Sequence, residues 1–229
     1  MRFNPRLPND TTVLVLLAVF AIVVLGVADK AGGRASHHTL EISVVGAVVL
    51  LAIYGIWLWG YLRSESSAEP ALEKASHHLA LPQALGLLAV AGTGAAFVSD
   101  WFVSELDSAI HSIGISKAFT GLVIVGIAGN AVENFVGISL AAKGEADLAI
   151  SVIKNSVSQI AAFLYPALVL GSLFFAHRLT FVVNPVLTGA LLVAAIAVWA
   201  IGGDGKALAF EGGALIGLYA IVAALAWFQ

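Results

Sequence analysis

Gly129-Asn130-Ala131-Val132-Glu133-Asn134 interrupts a long apolar stretch bracketed by Lys117 and Lys143, and Asn130 is the midpoint between those lysines. With both lysines at water interfaces, a carboxylate and two carboxamides lie near the centre of a bilayer. An ionisable group at that depth costs several kcal/mol on most estimates and by default marks a path for ions or protons. The next apolar segment carries a second polar run, Asn155-Ser156-Val157-Ser158-Gln159. Two facing polar clusters predict a cation site inside a helix bundle.

Around this pair the chain is uniformly apolar. Of its 229 residues, 60% are hydrophobic and 11% charged, less than half the charge of an average soluble domain. Apolar runs near membrane-spanning length recur throughout and are apolar on every side, which identifies an all-α, polytopic membrane helix bundle. Seven transmembrane helices are predicted, at 11–28, 41–62, 82–105, 116–142, 147–176, 180–201 and 208–228. The first is short for a bilayer. The fourth and fifth are too long to cross straight and perpendicular, so they must tilt, protrude or break. Gly126, Gly129 and Gly137 weaken the fourth, and Pro166 removes a backbone donor from the fifth. Broken spans are tolerated where the freed backbone lines a site. Arg2 and Arg6 ahead of an apolar run resemble a signal peptide, but no A-x-A cleavage site follows.

Loops are short except at 63–81, a polar segment read as a solvated cytoplasmic linker between residues 1–62 and 82–229. Lysine and arginine counts give the orientation. Arg2, Arg6, Arg63, Lys74, Lys143 and Lys206 fall on one side, and Lys30, Arg34, Lys117 and Arg178 on the other. This places the N-terminus and the linker in the cytoplasm. Trp57, Trp59, Tyr61, Trp227 and Phe228 suit interfacial positions.

The net charge of −3 and the lack of a basic patch argue against nucleic acid as a partner. Without cysteine there are no disulfides, thiolate chemistry or cysteine zinc sites. No Ser-His-Asp order, H-E-x-x-H motif or phosphate loop is present, so the chain does not read as an enzyme. His37-His38 and His77-His78 read as solvated loop residues, and His111, four residues after Asp107, as structural.

Helical spacing turns the two polar runs into stripes. Asn130 shares a face with Glu133 and Asn134, and Gln159 with Asn155 and Ser156. Calcium takes six to eight oxygens from carboxylates, carboxamides, carbonyls and water. Interhelical hydrogen bonding accounts for Asn155 or Ser156 alone, but it leaves Glu133 unexplained. One glutamate does not neutralise a divalent ion, so a complete site needs a second carboxylate.

From Phe119 to Leu170 the sequence resembles the second conserved repeat of the calcium/cation–proton exchanger family, within the calcium/cation antiporter superfamily (the sodium/calcium exchanger membrane region). The family pattern is roughly G-N-A-x-E-H, a basic-acidic turn, G-S-S-x-Q-I and an apolar run with proline. Here it reads Gly129-Asn130-Ala131-Val132-Glu133-Asn134, Lys143-Gly144-Glu145-Ala146-Asp147, Asn155-Ser156-Val157-Ser158-Gln159-Ile160 and Pro166. The resemblance implies that residues 82–229 form the five-helix second inverted repeat of a cation exchanger fold. It implies that Glu133 is both cation ligand and proton acceptor, with Asn130, Ser156, Ser158 and Gln159 at motif positions. Asn134 replaces the usual histidine, Asn155 the usual glycine, and Val157 a serine.

The family carries two such repeats, each with its own acidic motif. The helices in residues 1–62 look like the end of a first repeat, and no G-N-A-x-E pattern precedes residue 63. The expectation is a fragment, a partner polypeptide bearing the first half, or a second copy of this chain. Asp100 reads equally as a pathway acid or an interfacial one. Lys154 reads as a side chain snorkelling to the interface, or as a tethered cation paired with Glu133 or Asp147.

Two functions stand. One is a cation/proton antiporter of the plasma membrane, exporting Ca2+ against proton entry, with no cofactor and Glu133 alternating between cation and proton. The other is a non-transporting half-protein, an assembly subunit or a remnant.

Overall fold

The computed structural model describes residues 6–65, 80–203 and 205–228. Most of the predicted 63–81 linker, including His77 and His78, lies outside the described residues. Among the described residues every span is helical: α1 (Arg6–Ala31), α2 (Thr39–Glu65), α3 (Leu81–Ile113), α4 (Lys117–Gly129), α5 (Ala131–Ala142), α6 (Ala146–Phe174), α7 (Pro185–Gly202) and α8 (Ala209–Trp227). Six are long and apolar enough to cross a membrane by themselves, and the bent α4–α5 pair makes a seventh. The chain is therefore a multi-pass membrane protein of the predicted class.

Several boundaries move. The apolar stretch of α1 runs over Asp10–Ala31, 22 residues, long enough for a bilayer about 30 Å thick. The first span is thus not short. α3 continues to Ile113, eight residues beyond its predicted end at 105. α7 starts at Pro185 rather than 180, because residues 180–184 form a strap held by the core. On that strap Phe181 is wholly buried. Its N–H donates to Ser43 Oγ (3.1 Å), its ring meets Tyr165 edge-on (5.1 Å), and the Tyr165 hydroxyl donates to the Thr180 carbonyl (2.8 Å). Asn184 then caps α7 by accepting from the Val186 N–H.

The core gathers Ala18, Ile22 and Leu25 of α1, Ala47 and Leu50 of α2, Val169 of α6 and Phe181. α1 is the central helix, packed against α2, α6 and α7. α3 is the opposite case: nearly every residue described along it is exposed.

Both over-long spans depart from a regular α-helix, and the first of them breaks. α4 and α5 meet at 57° across Asn130, whose backbone (φ −108°, ψ 19°) leaves the helical region. Within α4, Thr120–Val125 winds with the wider i→i+5 hydrogen bonding of a π turn. α6 has the same widening over Ile160–Leu164, immediately before the turn that holds Pro166. The proline ring has no N–H and would crowd the carbonyl four residues back, so the helix loosens ahead of it.

Candidate cation site

The kink puts the central motif at the wall of an open cleft. The cleft holds about 770 Å³ and lies between α1, α4, α5, α6, α7 and α8. Glu133, Asn130 and Asn134 enter it from the start of α5 and Ser156 from α6. The opposite wall is apolar: Val15, Ala18, Val19 and Ile22 of α1. Two side chains donate to carbonyls of α4. Asn130 Nδ2 donates to the Gly126 carbonyl (3.0 Å), and the Tyr219 hydroxyl of α8 donates to the Leu122 carbonyl (3.3 Å). Among the described residues nothing pairs with the Glu133 carboxylate, which is partly exposed to the cleft.

α5 lies close on α6 because Gly137 has no side chain. A Cβ there would stand 2.9 Å from Ile153 Cδ1. This contact sets the Glu133 turn beside the Ser156 turn.

The predicted residues separate into two groups. Asn130, Glu133, Asn134 and Ser156 come together at the cleft, whereas Asn155, Ser158 and Gln159 do not line it. At 100° per residue the five-residue run wraps too far around α6 to present one stripe. Ser158 is buried on another face, donating to the carbonyls of Thr11 (3.1 Å) and Lys154 (2.8 Å). Gln159 is exposed. Asn155 Oδ1 is a buried oxygen without a hydrogen-bond partner among the described residues. Asp100 is exposed on α3, away from the cleft lining. Lys154 does not reach the cleft either; its Nζ donates to Thr12 Oγ1 (2.8 Å) on α1.

Sequence reasoning missed Tyr219 and the α1 wall. Tyr219 carried a signal, a hydroxyl inside an otherwise apolar helix. The α1 residues carried none, since Val, Ala and Ile look alike in core and cleft. Among the described residues no cluster of three acidic or histidine side chains forms a metal cage. The cleft thus offers one carboxylate, two carboxamides and a serine hydroxyl beside a helix break.

The chain resembles known proteins in sequence and in fold. The sequence model of the sodium/calcium exchanger protein family matches residues 83–228, from α3 to α8. The chain belongs to that family. Among its exchanger relatives, a Ca(2+)/H(+) antiporter of Aphanothece halophytica is 31% identical over 93% of this chain and 61% of its own length. The Ca(2+)/H(+) antiporter ChaA of Bacillus subtilis is 28% identical over 94% of this chain and 62% of its own. The solved structure of native YfkE superposes on the whole of this chain with a TM-score of 0.79 at 28% identity, this chain covering 66% of it. The chain therefore spans less than two thirds of the length of these relatives. α1 and α2 lie outside the matched family region, yet α1 supplies one wall of the cleft.

Proposed function

We propose that this chain is the Glu133-bearing part of a Ca2+/H+ antiporter. The observation that carries the reading is the lone Glu133 carboxylate, set in the cleft at the α4–α5 break with Asn130, Asn134 and Ser156 beside it. Hard cations take such oxygens, and an unpaired carboxylate within a membrane span has a functional role by default. The relatives' names supply the ion and the proton. In this mechanism Glu133 holds a cation or a proton, never both, and the two compete for one carboxylate. Alternating access comes from bundles moving about a midplane site, with the α4–α5 kink and the π turns of α4 and α6 as bending points.

In this reading residues 82–229 are the second repeat, residues 1–62 end the first, and 63–81 link them on the cytoplasmic side of the plasma membrane. One negative charge poorly balances a divalent ion in a low dielectric. A second carboxylate therefore comes from outside the described residues, from a first-repeat segment or a second copy of the chain.

The test is proton release on Ca2+ addition to the purified chain, alone and together with a first-repeat segment from a relative. Ca2+ binding is expected to release protons, and Glu133→Gln is expected to abolish the release while membrane insertion survives. Full Ca2+-linked release from the Gln variant would overturn the assignment.

A further inference from the structure

The α6 residue just past Ile153 turns to a different side of the helix from the cleft and ends in a closed junction of three helices. Lys154 Nζ donates to Thr12 Oγ1 at 2.8 Å, and Thr12 is buried. One turn along, the fully buried Ser158 hydroxyl binds the carbonyl of Thr11 on α1. On the remaining side is Gly202, the last residue of α7. A Cβ at Gly202 would lie 2.7 Å from Lys154 Nζ and 3.5 Å from Cε. The ammonium thus occupies the space that any other residue at 202 would fill.

A long lysine stem ordinarily carries its charge out to water. Here the stem reaches the membrane end of the bundle, where α1 and α6 begin and α7 ends, but its head terminates on protein. An ammonium offers three directed donors, which apolar packing between helices cannot imitate. The same helices form walls of the cleft. Val15 of α1 is one turn from Thr11 and Thr12, Ile153 adjoins Lys154, and both line the cleft.

We propose that Lys154 is a positioning residue: a tethered cation that clamps α1 and α7 onto α6 at one end of the bundle and so fixes the gap between the α1 and α6 walls of the cleft. Gly202 is part of the device, since only glycine leaves room for the ammonium. The proposal stands on packing and does not depend on the ion carried or on Glu133.

The test uses geometry rather than transport. The chain has no cysteine, so nitroxide labels can be placed at Val13→Cys on α1 and Leu148→Cys on α6, both exposed positions. Pulsed electron resonance on the reconstituted chain then reports the separation of the two helices. Gly202→Ala is the key variant, because the atom it strikes is the tip of a flexible side chain, which can move without unfolding the bundle. It is expected to displace the ammonium and to shift or broaden the α1–α6 distance by about 1–2 Å, the scale of helix displacements at packed interfaces. Lys154→Ala should do the same, and Gly202→Ala should add nothing to it, since the two act through one contact. Rescue gives a second readout. Without labels, Lys154→Cys should speed amide exchange along residues 12–22 by about tenfold through local opening. Aminoethylation of that cysteine, which restores an ammonium, should return exchange to the original rate. Unchanged distances in both Gly202→Ala and Lys154→Ala, or exchange that aminoethylation fails to restore, would overturn the proposal.

Discussion

α6 carries two polar surfaces, and they are built in opposite ways. On the cleft side Ser156 faces open space shared with Glu133, Asn130 and Asn134, and the Glu133 carboxylate has no protein partner among the described residues. On the α1 side Lys154 and Ser158 are closed onto Thr11 and Thr12. Polar groups in an apolar medium carry a large penalty unless paired. The paired side is therefore what structure alone would produce. The unpaired side is the one that the proposed cation would complete. Residues two apart on one helix, Lys154 and Ser156, thus serve different ends, and exchanging their properties is the way to break the comparison.

The largest effect is expected from making the open side resemble the closed one. Ser156→Arg brings a fixed cation into the cleft beside Glu133 and should weaken Ca2+ binding at least tenfold, about 1.4 kcal/mol, by calorimetry. Unchanged affinity would mean that the cation does not bind in this cleft. Next comes the spacing of the two motif helices. Gly137→Leu forces a side chain into the Ile153 contact and should destabilise the chain by about 1–3 kcal/mol through overpacking. Ile153→Ala should recover part of this in reversible unfolding from detergent. A fully additive pair would show that α5 and α6 are not held by this contact.

Smaller effects sharpen the contrast on the closed side. Ser158→Ala removes an interhelical hydrogen bond and should cost about 0.6–1.7 kcal/mol with Ca2+ affinity intact. A loss of affinity without a loss of stability would return Ser158 to the site. The smallest shift is expected at Asn155. Its buried Oδ1 has no partner, and replacing an unsatisfied acceptor by an apolar group of similar size is nearly neutral or stabilising. Asn155→Leu should leave Ca2+ binding unchanged and the unfolding midpoint equal or higher. A clear loss of binding would identify Asn155 as a ligand reached in another conformation of the bundle.

Much of the fold was legible because hydropathy and helix chemistry act locally. The run of apolar spans, the stress on the two over-long segments and the weakening of the fourth by Gly126, Gly129 and Gly137 follow from residue type. The structure breaks that span with a 57° kink at Asn130 itself. The strap at residues 180–184 was not legible, since Phe181 and Val182 are as apolar as a span and only their seat against α2 and α6 keeps them extended. Spacing put Asn130, Glu133 and Asn134 on one face, and these three line the cleft with Ser156, whereas Asn155, Ser158 and Gln159 do not line it; helical spacing relates residues to one another and leaves open which neighbour each face meets.

The same division holds for α1 and α3. Sequence by itself determined that both are apolar helices, that a carboxylate lies mid-span on the α4–α5 pair, and that Pro166 removes a backbone donor from α6. These are consequences of transfer free energy and backbone geometry, which each segment carries alone. Only the tertiary structure decided that α1 is the buried centre and one wall of the cleft while α3 is exposed. It alone decided that Lys154 closes on Thr12 and Gly202 rather than on Glu133, and that a missing side chain at Gly137 brings the two motif turns together. Those outcomes depend on which surfaces touch and on contacts between residues more than a hundred positions apart, such as Thr12 and Lys154, which no local pattern in the chain records.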